Sequence, residues 1–265
     1  KLIICLGIAG GLSSDLKLGD VCYSSGIVDV YDNSKIGDGD EGLELKLSPT
    51  FYKADPGIIG AIDLVRRRRS CKPKYDQWRE GRHSQFQEAL EHFKDIRADG
   101  PNSFSGSIVC GAVSASEAYN SKLRDIDRKI SAIDTESGAI FERAARARIP
   151  ALSIRGISDL ADGGKAKLET DTSGRIREYA ASNAAEFLKF CINNSEEFAK
   201  EVQGVQGQRE LRLKETETLP AHTLHTHLHD LRQGIQMKLS ELSPDYKLLP
   251  KGYILPLPRI RHASQ

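Results

Sequence analysis

Two acidic residues, Glu136 and Asp159, lie where an α/β protein would bind a ligand. Glu136 comes just after one predicted strand, Asp159 ends the next, and a helix of ordinary length fills the interval. Because a parallel crossover returns the chain to the same edge of a sheet, we expect both carboxylates at the carboxyl ends of neighbouring strands, converging on one small molecule. The alternative is structural, with Glu136 as an acid at a helix N-terminus and Asp159 as a cap.

A concentrated basic run is the second candidate for chemistry. Its members are Arg66, Arg67, Arg68, Arg69, Lys72 and Lys74. Most charge runs of this kind are solvated faces. Because arginine pairs bidentately with phosphate oxygens, the alternative is that Arg66, Arg67 and Arg68 contact the phosphates of a nucleotide substrate.

Four histidines near the C-terminus are the third candidate: His222, His225, His227 and His229. Imidazole binds transition metals, and three of the four would share one face of a helix. Structural zinc sites need a closed set of ligands, however, and the only acid beside these histidines is Asp230. We therefore interpret the segment as a polar helix and predict no metal and no other cofactor.

Strands and helices alternate along the part of the chain that must position these residues, which predicts an α/β fold with parallel pairing. The patterns predict strands at residues 2–6, 16–23, 26–31, 107–113 and 149–159 and one ending near Ile133, a surface loop at 33–42, and helices at 56–68, 85–97, 137–148 and 179–191. Beyond residue 194 the composition turns polar and then proline-rich. We place a boundary near residue 197, with a domain at 1–197 and a helical, Pro-rich extension at 198–265 that links to another module.

Composition limits the class of protein. Of the 265 residues, 39% are hydrophobic and 28% charged, which argues against a disordered, collagen-like or membrane-spanning chain. The net charge of +1 gives no global attraction to polyanions, so we expect neither nucleic acid nor membrane as a partner. The five cysteines are scattered without a C-x-x-C pair, and no secretory signal is evident, which indicates a cytoplasmic protein. The chain begins with Lys1 inside a predicted strand, so we expect the front of the domain to precede it.

Four blocks of sequence carry a resemblance to a known family. They are residues 7–12 (GIAGGL), 16–21 (LKLGDV), 133–140 (IDTESGAI) and 154–163 (IRGISDLADG). In this order they resemble the nucleoside phosphorylase superfamily, and within it the methylthioadenosine/S-adenosylhomocysteine nucleosidase branch, over residues 1–193. The resemblance implies a mixed, mostly parallel, twisted central sheet flanked by helices, and cleavage of the bond between a purine and ribose.

The resemblance also implies a role for each residue of the site. Asp159 would protonate the leaving purine, and Arg155 would neutralise and orient the neighbouring carboxylates. The contacts to substrate would come from Glu136, Thr135, Ala9, Gly10 and Ser158. Glu136 would hold the ribose hydroxyls and Thr135 would lie against the sugar, while the glycine turn at 7–11 would back the sugar. These residue types suit a transition state that resembles an oxocarbenium ion, since the leaving base must take a proton.

The sequence departs from the family pattern in three places. Ile8 stands where phosphorolytic members usually carry a serine, which favours water over phosphate as the acceptor. The carboxylate that activates water in nucleosidases would precede Lys1. The segment 110–117 matches the family's base-binding turn and aromatic stacker poorly, whereas the run Ile157, Ser158 and Asp159 is typical of adenine-selective nucleosidases.

The sequence therefore favours an N-glycosidase that acts on a purine nucleoside or nucleotide of the adenosine, methylthioadenosine, S-adenosylhomocysteine or ATP class, adenine being the favoured base. A phosphorylase and a catalytically inactive nucleoside sensor are the alternatives. Residues 174–188 resemble nucleosidase domains fused to sensor or signalling modules, among them bacterial antiphage effectors. From the resemblance we also expect a homo-oligomer and an attached sensor or signalling domain.

Overall fold

A six-stranded sheet organises the first of two units of the chain, Lys1–Gln206, while the second unit is Gly207–Gln265. The computed structural model describes residues 2–31, 34–39, 42–90, 95–112, 115–200, 246–248 and 254–256. In the second unit, the described residues form one antiparallel pair of strands, β9 (Tyr246–Leu248) and β10 (Ile254–Pro256). Apart from residues 198–200, the rest of the predicted extension, including the four clustered histidines, lies outside the described residues.

The main sheet consists of β1 (Ile3–Gly11), β2 (Val21–Asp29), β5 (Thr50–Lys53), β6 (Ser103–Cys110), β7 (Ile130–Asp134) and β8 (Ala151–Asp159). Their order is β5-β2-β6-β7-β1-β8, and β2 also pairs with β8, so the sheet closes on itself. The neighbours β2 and β6, β6 and β7, and β1 and β8 are parallel. The pairs β1 and β7, β2 and β8, and β2 and β5 are antiparallel. The predicted mixed α/β architecture is confirmed.

The helices that flank the sheet are α1 (Pro56–Arg67), α2 (Lys72–Leu90), α3 (Glu117–Ile126), α4 (Ser137–Arg146), α5 (Lys165–Asp171) and α6 (Arg175–Asn194). The patterns predicted α1, α4 and α6 within a few residues of these bounds. The helix predicted at 85–97 begins much earlier, at Lys72. The sequence analysis missed the first half of α2 because that half is largely charged and carries a weak apolar pattern. No helix in the described part of the chain is long and apolar enough to cross a membrane.

Two strand predictions are corrected by the structure. The segment 33–42, expected as a surface loop, contributes to a hairpin of β3 (Lys35–Gly39) and β4 (Gly42–Lys46), in which Gly39 pairs with Gly42. Residues 21–23 and 26–29, expected in two separate strands, belong to the single strand β2, whose pairing with β6 shifts register between Ser24 and Gly26. A bulge of this kind inserts a residue without ending the strand.

Helix α6 covers one face of the sheet and forms the largest aromatic part of the core. Tyr23 on β2 stacks on Phe187 of α6 at 5.8 Å between ring centroids, and Ile154 of β8 lies in the same cluster. Trp78 of α2 packs against Phe187 and Phe190. Helix α6 therefore packs directly on β8, the strand that ends at Asp159.

The block LKLGDV has a structural role, centred on the fully buried Asp20. Its carboxylate accepts hydrogen bonds from the backbone N–H of Lys17 at 2.8 Å, the backbone N–H of Asn102 at 2.7 Å and the Arg97 guanidinium at 2.9 Å. Burial raises the pKa of Asp20, although each of these three partners lowers it. Asp20 thus joins the loop before β2 to the start of β6.

Gly156 in the middle of β8 is required by the packing of α6. A β-carbon at this position would overlap the backbone carbonyl of Ala180. We expect Gly156→Ala to lower the free energy of unfolding by about 1–3 kcal/mol, since an extra methyl group in a filled core forces the backbone to move.

The matched control is Gly60→Ala on α1, where nothing lies within 4 Å of the added β-carbon. There the same change is expected to raise stability by about 0.5–1 kcal/mol, because alanine is the better helix former. Denaturant unfolding of both variants measures the difference. Equal stabilities would contradict the packing account.

Candidate active site

Three parallel strands, β2, β6 and β7, end side by side at one rim of the sheet. Their last residues, Asp29, Cys110 and Asp134, are paired in register and buried. Open α/β sheets bind ligands beyond the carboxyl ends of their strands. Burial raises the pKa of the Cys110 thiol to about 12, so the thiol stays neutral and is not a nucleophile near neutral pH.

A buried arginine, Arg155, ties this rim to β8. Its Nη2 atom lies 2.7 Å from Asp134 Oδ2 and 3.3 Å from Glu136 Oε2, so one guanidinium neutralises two carboxylates. The Ser137 hydroxyl donates to Asp134 and accepts from Arg155 Nη2 at 3.2 Å, and Arg155 Nε donates to the Ser153 hydroxyl at 3.2 Å. Burial raises the pKa of the Asp134 carboxyl, and the facing guanidinium offsets part of that shift.

Glu136 and Asp134 are in contrasting environments although they share Arg155. The Asp134 side chain is 1% exposed and the Glu136 side chain 60% exposed. Glu136 precedes α4 but makes no capping hydrogen bond from its side chain. Its Oε1 accepts a hydrogen bond from the Thr135 hydroxyl at 2.6 Å, and its Oε2 faces Arg155. The carboxylate is therefore held in place and open to a ligand, and a capping role does not account for it.

Asp159 lies at the end of β8 and is 2% exposed. Its Oδ1 accepts the backbone N–H of Ala161 at 3.0 Å, and its Oδ2 accepts the Ser158 hydroxyl at 3.0 Å and faces Lys165 Nζ at 3.3 Å. A β-carbon on Gly10 of β1 would stand 2.9 Å from Oδ1, so only glycine lets β1 approach this closely without displacement. Asp159 caps no helix, since the residue that precedes α5 is Gly164.

The expectation that Glu136 and Asp159 follow neighbouring parallel strands is wrong. Strand β1 lies between β7 and β8 and is antiparallel to β7. Glu136 contacts Arg155, which is four residues before Asp159, or about 13 Å along the strand. The two carboxylates share no partner, and a ligand that touches both must lie along β1.

The glycine-rich segment between the two carboxylates is strand rather than the predicted turn, because β1 extends to Gly11. Gly7 pairs with Arg155 and Gly10 pairs with Asp159 across the parallel neighbour β8. Ala9 is buried, and its carbonyl accepts the Ser158 hydroxyl at 3.4 Å. The predicted contacts Ala9, Gly10 and Ser158 therefore lie together with Asp159, whereas Thr135 lies with Glu136.

A cleft of about 450 Å³ opens at the ends of β1 and β8. Its walls include Gly11 and Leu160, the residues that directly follow Gly10 and Asp159, and the cations Lys17 and Arg128. The cleft thus borders the strand ends beyond Gly10 and Asp159, but neither Asp159 nor Glu136 is among the residues that line it.

Three residues near the site escaped the sequence analysis: Asp29, Tyr31 and Lys165. Asp29 has the signal that singled out Asp159, a carboxylate at the end of an alternating strand, but no quoted motif covers it. Tyr31 lies two residues beyond β2 and Lys165 is the first residue of α5, and no quoted motif covers either residue. Only the folded chain shows that Lys165 reaches Asp159.

The basic run is engaged within the chain. Arg66 Nη1 donates to the Tyr23 hydroxyl at 2.7 Å and lies 3.7 Å from Asp63, and Arg68 pairs with Glu197 at 3.0 Å. Arg67 is exposed. None of these partners belongs to the residues around Glu136 and Asp159. Contact of this run with a substrate phosphate stays a prediction. Within the described ranges, no group of three or more His, Cys, Asp or Glu side chains is placed to hold a metal ion.

The two carboxylates that share Arg155 are expected to differ in their effect on stability. Asp134→Ala should lower the free energy of unfolding by about 3–5 kcal/mol, because it removes the buried partner of a buried guanidinium. Glu136→Gln should cost less than about 1 kcal/mol, because that carboxylate is mostly in water. Denaturant unfolding at neutral pH compares them, and equal losses would show that Glu136 is as structural as Asp134.

Comparison with known proteins gives the chain two kinds of relative. A curated protein of Amphimedon queenslandica, a death domain-containing ATP nucleosidase, is 25% identical over 198 residues, which are 71% of this chain and 33% of that protein. The chain thus spans about a third of that relative's length.

Solved structures of low identity also match. The methylthioadenosine/S-adenosylhomocysteine nucleosidase of Colwellia psychrerythraea 34H, in complex with adenine, matches with a TM-score of 0.48, 18% identity and coverage of 73% of this chain and 67% of its own. The Neisseria meningitidis nucleosidase with methylthio-immucillin-A matches with a TM-score of 0.47, 20% identity and coverage of 72% of this chain and 68% of its own. The family model described as the phosphorylase superfamily matches residues 1–193, nearly all of the first unit. This match confirms the resemblance seen in the four blocks, and the chain belongs to the phosphorylase superfamily.

Proposed function

We propose that the protein is an N-glycosidase that hydrolyses the bond between adenine and ribose in a nucleoside or nucleotide. The observation that carries the proposal is the environment of Glu136, whose carboxylate is fixed by Arg155 and Thr135 and yet is 60% exposed. A charged acceptor fixed in this way suits the vicinal hydroxyls of a ribose, because hydrogen bonds to an ionised group are the stronger kind.

In the proposed reaction the nucleoside lies along β1, with its sugar at Glu136 and its base at Asp159. The bond between C1′ and the base nitrogen breaks, and its electron pair leaves with the purine. Asp159 donates a proton to the purine, water bonds to C1′, and the proton that water releases restores the acid. The products are the free base and the ribose moiety. General acid catalysis of this kind contributes about 100- to 10,000-fold in rate.

Lys165 sets a condition for this reaction. Its ammonium lies 3.3 Å from Asp159 Oδ2, while Oδ1 is engaged by the Ala161 N–H. A purine nitrogen therefore has to displace Lys165 to reach Oδ2. The Lys165 side chain is 41% exposed, so it can swing into water when a ligand enters.

Water is the proposed acceptor because Ile8 of β1 offers no hydroxyl to a phosphate ion. ATP is the first substrate to examine, since the Amphimedon relative is named for it. That relative's death domain also supports the expectation of an attached signalling module. A homo-oligomer and a role in defence stay proposals from the resemblance, and a cytoplasmic location stays a proposal from the scattered cysteines.

Chromatography of adenosine, methylthioadenosine, S-adenosylhomocysteine and ATP after incubation with the protein tests the function. We expect free adenine both with and without phosphate. Release only with phosphate would indicate a phosphorylase, and saturable binding without release would indicate a sensor. Asp159→Asn should lower turnover by about 100-fold or more and change ligand affinity by only a few fold, because it removes the acidic proton and keeps the size of the side chain. The exposed Asp125→Asn on α3 is the control and should behave as the wild type.

Glu136→Gln tests the sugar contact separately. Hydrogen bonds to a charged group contribute about 1.5–3 kcal/mol, so we expect kcat/KM for adenosine to fall by about 10- to 150-fold. The loss for 2′-deoxyadenosine should be smaller, because one of the hydroxyls that Glu136 would bind is already absent. Equal losses on both substrates would show that Glu136 does not act through the 2′-hydroxyl.

A further inference from the structure

A residue with left-handed backbone lies directly behind the candidate acid. Ala161 is two residues beyond Asp159 and has a φ of 51°. The β-carbon of an L-residue is sterically disfavoured in this region, so neighbouring contacts have to hold the residue there. Ala161 is 3% exposed and packs in a core cluster with Leu12 and Ile133. The surrounding structure therefore imposes the conformation of Ala161.

The N–H side of Ala161 is bound to the carboxylate. Its backbone N–H donates to Asp159 Oδ1 at 3.0 Å, which closes a turn over Leu160. A β-carbon on Gly10 would stand 2.9 Å from Oδ1 and 3.2 Å from the Ala161 methyl group, so β1 lies against both. Oδ1 is thus engaged on the protein side, which leaves Oδ2 for the purine in the proposed reaction.

The carbonyl side of Ala161 is bound to a buried amide of α3. Asn120 is 2% exposed, and its Nδ2 donates to the Ala161 carbonyl at 2.6 Å. A carbonyl oxygen only accepts hydrogen bonds, so the amide nitrogen is the atom that faces it. The backbone angles of Ala161 set the relative directions of its N–H and carbonyl. Asn120 and Asp159 therefore hold the same residue from its two sides.

Asn120 occupies a position that apolar packing would not select. The buried residues of α3 are Asn120 and Leu123, about one turn apart, and Leu123 belongs to the same core cluster as Ala161. An amide is unfavourable in such a place unless it is hydrogen-bonded, and asparagine is a poor helix former. The polar side chain is therefore explained by hydrogen bonding and not by packing or helix propensity.

We propose that Asn120 is a positioning residue for Asp159. Its hydrogen bond holds Ala161 in the left-handed conformation, and the Ala161 N–H in turn fixes Oδ1 of the acid. Asn120 itself contacts no ligand in this arrangement. The inference rests on the proposed function for the role of Asp159, whereas the link between Asn120 and Ala161 rests on the two hydrogen bonds.

Steady-state release of adenine from adenosine tests the positioning role. Asn120→Leu keeps the branched skeleton of the side chain and removes the donor. We expect kcat to fall by about 10- to 100-fold, because a small misplacement of a catalytic group has effects of this size. KM should change by less than about threefold, because the substrate does not touch Asn120. Asn120→Ala removes the same donor from a smaller side chain and should give the same division between kcat and KM.

Ser195→Ala is the control for a general loss of stability. Ser195 is buried at the end of α6, and its hydroxyl accepts the backbone N–H of Phe198 at 3.1 Å. The variant loses a buried hydrogen bond as Asn120→Leu does, so its melting temperature should fall. Its kcat should equal that of the wild type, because Ser195 has no contact with the residues around Asp159.

The decisive comparison uses Ala161→Gly as a second background. Glycine adopts a positive φ without a steric penalty, so it needs less support from Asn120. The loss of kcat caused by Asn120→Leu should therefore be smaller by about fivefold or more in this background. Thermal unfolding of the wild type, the two single variants and the double variant makes the same comparison without activity. The fall in melting temperature caused by Asn120→Leu should also be smaller when residue 161 is glycine.

The outcomes separate this inference from the proposed function. A wild-type kcat in folded Asn120→Leu and Asn120→Ala overturns the positioning role, while adenine release by the wild type still supports the glycosidase. Equal losses of kcat in the two backgrounds assign the effect to packing around α3 and also overturn it, as does failure of both variants to fold in either background. If the wild type releases no adenine, the glycosidase fails and the unfolding comparison decides the link: additive losses in melting temperature overturn it.

Discussion

The buried guanidinium of Arg155 is the charge on which the site depends. It is 4% exposed, and such a charge is tolerated in a protein interior only when paired and hydrogen-bonded. Asp134 and the hydroxyls of Ser137 and Ser153 meet that requirement from two strands and a helix start. The ends of β7 and the middle of β8 are thereby held at a fixed separation across β1.

The division of labour between Asp134 and Glu136 follows from this arrangement. Asp134 is nearly inaccessible and is engaged by Arg155 and Ser137, so its role is to neutralise the buried guanidinium. Glu136 takes the remaining share of the same positive charge while it faces solvent. One cation thus stabilises a buried carboxylate and holds a second, exposed one, and a single residue, Thr135, lies between the two in sequence.

The sequence identified the strands and helices of the site because their signals are local. The apolar runs of β1, β6 and β8 and the apolar periodicity of α1, α4 and α6 are each contained within one segment. The relative direction of β7 and β1 is not, since hydrophobic periodicity is the same for a parallel and an antiparallel neighbour. For that reason Glu136 and Asp159 were expected on adjacent parallel strands, and only the register of Gly10 with Ile133 shows otherwise.

The residues that sequence analysis missed depend on contacts between distant segments. Lys165 meets Asp159 through a turn in which Ala161 adopts a positive φ of 51°. Tyr31 joins the rim because Asp29 binds its N–H. Neither contact follows from composition or spacing, whereas three of the four motif blocks contain the candidate site residues themselves.

The pairing of β2 with both β6 and β8 has a mechanical consequence. Each strand from β2 through β6, β7, β1 and β8 is hydrogen-bonded on both sides, so sliding any one of them would break two ladders at once. Shear between the strands that carry Glu136 and Asp159 is therefore costly. Adaptation to ligands of different size is therefore expected from side-chain rotation and from the connecting loops, because the distance between the strands is constrained.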